Sequence, residues 1–140
     1  MQLPSWYEFA LAERGVKEAP GGANNPAVVA YYRDAGHAGV KHDSVPWCAA
    51  FVGAMLKRAG IKSSGSLLAR SYLNWGKKLK QPRQGCIVVL KRGNSTWQGH
   101  IAFFDHEEGG RLVCLGGNQS DRVCFAPYAT SRLLGFRWPS

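Results

Sequence analysis

The sequence predicts an α+β fold in which N-terminal helices pack on a C-terminal antiparallel β-sheet. Three observations predict it. Up to about residue 76 apolar residues recur at spacings of three and four, in runs closed by glycine. Beyond Pro82 the apolar runs are short, rich in β-branched residues and separated by glycine and asparagine turns. The two kinds of segment are grouped along the chain rather than alternated, the pattern of an α+β domain.

The first helix is expected over 4–14, with Trp6, Phe9, Ala10 and Glu13 as its stripe, the aromatics in the core and Gly15 as its stop. Turn formers fill 18–26. Asn25 then caps a second helix over 27–35, with Pro26 at its first position and Gly36 beyond. The best-marked helix spans 45–59: Asp43 or Ser44 as N-cap, Pro46 in the first turn, Lys57 and Arg58 in the last, Gly60 after it. Trp47, Phe51, Ala54 and Met55 form one apolar face, and Cys48, Val52, Met55 and Ala59 a neighbouring stripe. A shorter helix is expected over 66–76.

Strands are expected over 86–90, 100–105, 111–117 and 121–125, with a fifth over 133–138. Asn94 lies in a turn after the first, and 107–110 close a hairpin. No repeat or linker interrupts the chain, so a single domain is expected over 1–140.

Composition narrows the function classes. Of the 140 residues, 45% are hydrophobic and 19% charged, which excludes a disordered, collagen-like or low-complexity chain. Lys and Arg total 18 against 9 acids, a net charge of +9, so the field attracts anions: nucleic acid, anionic membrane or anionic cell-wall polymer. No basic run exceeds two residues. The chain lacks an apolar run of membrane-spanning length, and its first residues lack a signal peptide's basic start and apolar core. Synthesis in the cytoplasm and free thiols are therefore expected for the cysteines at 48, 86, 114 and 124. No Cys-x-x-Cys or His-x-x-x-His spacing occurs, and neither a metal nor a cofactor is expected.

Three residues carry chemistry. Cys48 lies in the first turn of the best-marked helix, where free backbone N–H groups and the positive end of the macrodipole favour a thiolate. His100 opens a strand after Gly99 and can reach a helix N-terminus packed on the sheet; the small Ala102 on the same side leaves room for a partner. Asn118 closes the next strand after Gly116 and Gly117 and offers a side-chain oxygen to an imidazole.

The segments Pro46-Trp47-Cys48-Ala49-Ala50-Phe51-Val52, Gly99-His100-Ile101-Ala102-Phe103 and Leu115-Gly116-Gly117-Asn118-Gln119-Ser120-Asp121 resemble the papain-like cysteine peptidases of the CHAP and NlpC/P60 superfamily. Gly15-Val16-Lys17-Glu18 and Ala69-Arg70-Ser71-Tyr72 are similar to segments of a small phage and prophage subfamily. The resemblance implies a papain-like fold and an amidase or endopeptidase that cleaves peptidoglycan. It implies Cys48 as nucleophile, His100 as general base and then acid, and Asn118 as the orienting third member, with Gln119 and Asp121 as alternatives. His42, Asp43, Trp47 and Gln119 are candidates for lining the substrate cleft. One departure from the family pattern is that Gly85 is followed by Cys86 where relatives carry an acid.

The expected partner is peptidoglycan, met by a monomer that binds no nucleic acid and does not insert into membranes. The expected place of action is the periplasm or cell wall, reached through a holin lesion, a virion or a secretion machine. A phage lysin is the first expectation and an injected antibacterial effector, with an immunity protein as partner, the second. Two other classes compete: a non-catalytic virion or tail component of the same fold, and a basic nucleic-acid binder using Arg70, Tyr72, Trp75, Lys77, Lys78 and Lys80.

Overall fold

The computed structural model describes residues 2–18, 25–39 and 47–140. Its first helix, α1 (Ser5–Ala12), buries Trp6, Tyr7 and Ala10. Phe9 was expected in this stripe but is 40% exposed, because the buried arc turns from Trp6 through Ala10 toward Tyr7 and leaves position 9 outside. Helix α2 (Pro26–Asp34) starts where its cap signal places it: Asn25 Oδ1 accepts the N–H of Ala27 at 2.8 Å, with Pro26 in the first turn.

Helix α3 (Cys48–Arg58) begins at Cys48 rather than at 45. The N-cap position is taken by Trp47, whose side chain makes no capping bond, and not by Asp43 or Ser44, which lie outside the described residues. Every residue of α3 from Cys48 to Leu56 is buried, so this helix forms the centre of the core rather than a surface layer. Where a short α-helix was expected over 66–76, a 3-10 helix forms at Ala69–Asn74. Before it, Ser64 Oγ accepts the N–H of Ser66 at 3.2 Å and Ser66 Oγ that of Leu68 at 3.0 Å, a local pairing that competes with α-helical bonding.

Six strands follow: β1 (Lys77–Leu79), β2 (Ile87–Lys91), β3 (Gly99–Glu108), β4 (Arg111–Gln119), β5 (Arg122–Ala129) and β6 (Leu133–Trp138). They form one antiparallel sheet in the order β1-β6-β2-β3-β4-β5. The edge strand β1 gives little sequence signal because it is short and charged, as exposed edges tend to be. Gly109 and Gly110, both at positive φ, make the tight turn between β3 and β4.

Both faces of the sheet are covered, which is why 86–90 reads as an unbroken apolar run. Ile87, Val89, Ile101, Phe103, Leu115 and Val123 pack against the helices. Val88, Leu90, Ala102, Phe104, Leu112 and Phe136 form a second cluster on the opposite face, together with the buried Cys86 and Cys114. Two irregularities break the alternation of side chains, one in β3 between Phe104 and His106 and one in β4 between Gly116 and Gln119. Each sets a polar residue that strict alternation misplaces.

Candidate active site

Cys48 is the first residue of α3, so its sulfur stands at the end where backbone N–H groups are free. Trp47 holds that end in the core: its indole is fully buried, donates from Nε1 to Glu18 Oε1 at 3.0 Å and stacks on Tyr31 with centroids 5.9 Å apart. Trp47 is therefore a packing residue, not the substrate contact expected from the sequence. Strand β4 lies directly against it. A Cβ at Gly117 would come within 2.7 Å of Phe51 Cβ and 2.8 Å of the Trp47 ring, so only glycine permits this approach.

His100 enters from β3, on the sheet face shared with Ala102 and Phe104. Small residues do leave room there: a Cβ at Gly116 would lie 2.8 Å from Ala102 Cβ and 2.7 Å from Gln119 Oε1. The amide of Gln119 fills that space. His100 Nε2 lies 2.9 Å from Gln119 Oε1, which also accepts the Tyr128 hydroxyl at 2.9 Å. Gln119 Nε2 donates to the carbonyls of Cys124 at 2.6 Å and Cys114 at 3.3 Å.

This bonding fixes two assignments. Because the amide nitrogen faces two carbonyls, the amide oxygen must face the imidazole, so His100 Nε2 carries a proton and Nδ1 holds the free lone pair. With its amide oxygen and nitrogen both hydrogen-bonded inside the protein, Gln119 fixes the imidazole.

The residue that holds the imidazole is thus Gln119, where Asn118 was expected. Asn118 has φ +57°, a left-handed conformation inside the β4 irregularity. That extra residue sets Gln119, rather than Asn118, on the His100 side. Asn118, Gln119 and Ser120 all line a cavity of about 230 Å³, together with Cys48, His100 and Tyr128. His42 and Asp43, expected at the cleft, lie outside the described residues. A larger depression of about 810 Å³, between Gly60 and the C-terminal Ser140, has neither cysteine nor histidine in its walls.

Three contributors escaped the sequence reading. Tyr128 sits with its ring 5.4 Å from that of His100, and Arg92 and Arg132 line the cavity. Arg132 donates from Nε and Nη2 to the Lys91 carbonyl, and its guanidinium lies over the Tyr128 ring. The chain at 128–132 thus crosses to the end of β2, a long-range approach that no local motif announces.

The electrostatics also differ from expectation. Burial pushes the Cys48 thiol up, against the opposing backbone hydrogen bonds of Ile101 and Ala49 and the charge of Arg92. Burial likewise lowers His100 to about 4; Arg132 and Arg92 add to this, and the bond to Gln119 opposes it. Burial thus disfavours the charged form of both groups. A helix start favours the anion, but here dehydration outweighs it.

A cysteine at a buried helix start and a histidine of fixed tautomer on the antiparallel sheet line one cavity within a papain-like fold. The CHAP domain family model matches residues 40–118, more than half of the chain, and the protein belongs to that family. A solved structure from Staphylococcus aureus subsp. aureus Mu50, described as similar to a lipoprotein of the NLP/P60 family, superposes with a TM-score of 0.58 at 17% identity. The alignment covers 97% of this chain and 41% of that one, so the present chain corresponds to less than half of that protein. No curated protein matches the chain.

Proposed function

We propose that this protein hydrolyses an amide bond of peptidoglycan, as an amidase or endopeptidase, with Cys48 as nucleophile and His100 as general base. The observation that carries the reading is the shared cleft: a cysteine opening a buried helix and an imidazole with its Nδ1 lone pair free line the same cavity.

The steps follow from those groups. His100 Nδ1 takes the thiol proton as the Cys48 sulfur bonds to the amide carbonyl carbon, giving a tetrahedral oxyanion. The N–H groups at the start of α3, that of Cys48 among them, are placed to stabilise that oxygen. The C–N bond breaks, the imidazolium gives its proton to the departing amine, and a thioester forms. Water then loses a proton to His100 Nδ1 and attacks the thioester, releasing a carboxylic acid and restoring the thiol. The bond to Gln119, itself braced by the Tyr128 hydroxyl, holds the ring in one orientation throughout. The +9 charge supports the substrate class, since it draws the protein toward an anionic wall.

Digestion of purified peptidoglycan by the wild type and by Cys48→Ala, with mass analysis of the soluble fragments, tests this. Fragments should appear with the wild type alone, and their new termini name the bond. Equal release by both proteins would remove the mechanism.

A further inference from the structure

The cleft is basic and, among the described residues, has no carboxylate in its wall. Arg92 follows β2, is exposed and forms no ion pair with a described residue. Arg132 is fixed from behind: Nε and Nη2 donate to the Lys91 carbonyl at 3.2 and 2.8 Å, and its guanidinium carbon stands 5.0 Å from the Tyr128 centroid. Its Nη1 makes no hydrogen bond to a described residue. Both charges are felt at the reacting groups, since both depress His100 and Arg92 also acts on Cys48.

Two guanidinium groups that line a small cavity without a carboxylate partner among the described residues are costly to dehydrate unless the ligand brings an anion. A planar carboxylate meets that need with paired N–H···O bonds, whereas a carboxamide at the same place brings no charge. Building on the hydrolysis proposed at Cys48, we propose that Arg92 and Arg132 select peptides bearing a free carboxylate beside the scissile amide. The same pair disfavours substrates amidated at that position.

Two peptidoglycan stem fragments differing only by carboxylate or carboxamide next to the cleaved bond test this, assayed with the wild type, Arg92→Gln and Arg132→Gln. The wild type should favour the carboxylate by about tenfold or more in kcat/KM, the range of a charge-assisted hydrogen bond. In each variant the ratio should fall toward one, chiefly through KM. Arg132→Gln also loses bonds to Lys91, so it is read only through the ratio, and Arg92→Gln, at an exposed position, supplies the undisturbed fold. Equal wild-type rates on the two fragments, or a preference that survives in both variants, overturns the selectivity and leaves hydrolysis standing. No Cys48-dependent cleavage of either fragment overturns both proposals.

Discussion

Strand β3 carries a polar cluster at each end, and the two are built to opposite purposes. Near its start, His100 is held by Gln119, whose amide oxygen also accepts the Tyr128 hydroxyl, groups without charge. Toward its other end, Asp105 is held by the Tyr7 hydroxyl, by His106 at 2.6 Å and by Gln84 at 3.3 Å. Burial raises the Asp105 carboxyl, but those three donors outweigh it and keep it below the usual carboxylate range. Burial at His100 is opposed by one bond and wins, leaving a neutral base. Both clusters sit beside an irregularity in the sheet. The first shares a cavity with Cys48 at the start of α3; the second ties α1 to the sheet. An unusual polar group marks chemistry only when something reactive stands opposite it.

The comparison breaks most sharply at His100. Replacing it by alanine should lower kcat/KM by about 10²–10⁴-fold, the usual weight of a general base. Its protonation gives the same prediction in the intact protein. The neutral imidazole is the active form, so activity should persist as pH falls below 6.5 and be lost only as it passes about 4. A kcat/KM profile with its acid limb at 6.5 or above would show that burial does not govern this group.

The next effect sharpens which residue holds the ring. Gln119→Ala removes an acceptor from a largely buried N–H and should cost about ten- to a hundredfold in kcat/KM, from a loss of roughly 1.5–3 kcal/mol. Asn118→Gly, which suits the positive φ there, should cost about tenfold less than Gln119→Ala. The reverse order would return the orienting role to Asn118.

Much of this site is legible in the sequence where the signal is local. Proline, tryptophan and cysteine before a helical apolar pattern place Cys48 at a helix start, and Gly99 before an apolar run places His100 at a strand start. The small Ala102 correctly announces a space beside the imidazole. What fills it is legible only as one of the alternatives to Asn118, because one left-handed residue at 118 shifts the pattern and gives the place to Gln119. Tyr128, Arg92 and Arg132 arrive through long-range folding of 128–132 over the end of β2. The state of the thiol depends on how much water the fold removes, and a helix position does not record that. Exposure of Phe9 and the 3-10 turn at Ala69–Asn74 likewise follow from tertiary contacts and serine bonding, not from apolar spacing.

The smallest effect tests the other end of β3. Tyr7→Phe keeps the buried ring, including its edge-on contact with Phe103 at 6.1 Å, and removes only the donor to Asp105. Urea denaturation should show a loss of about 1–2 kcal/mol at neutral pH, the range for one hydrogen bond to a partly buried charged acceptor. Hydrolysis by the folded variant should change less than twofold, since Tyr7 touches neither the cavity nor His100. The carboxyl of Asp105 is depressed on folding, so its contribution is present above its unfolded value of 3.8 and fades as pH falls through the lower folded one. The gap between wild type and Tyr7→Phe should therefore be widest near neutrality and shrink as pH falls below 3.8 and the carboxylate gains its proton. A gap of constant size across that range would mean that Tyr7 acts by packing, and that the charge at Asp105 does not depend on its hydroxyl.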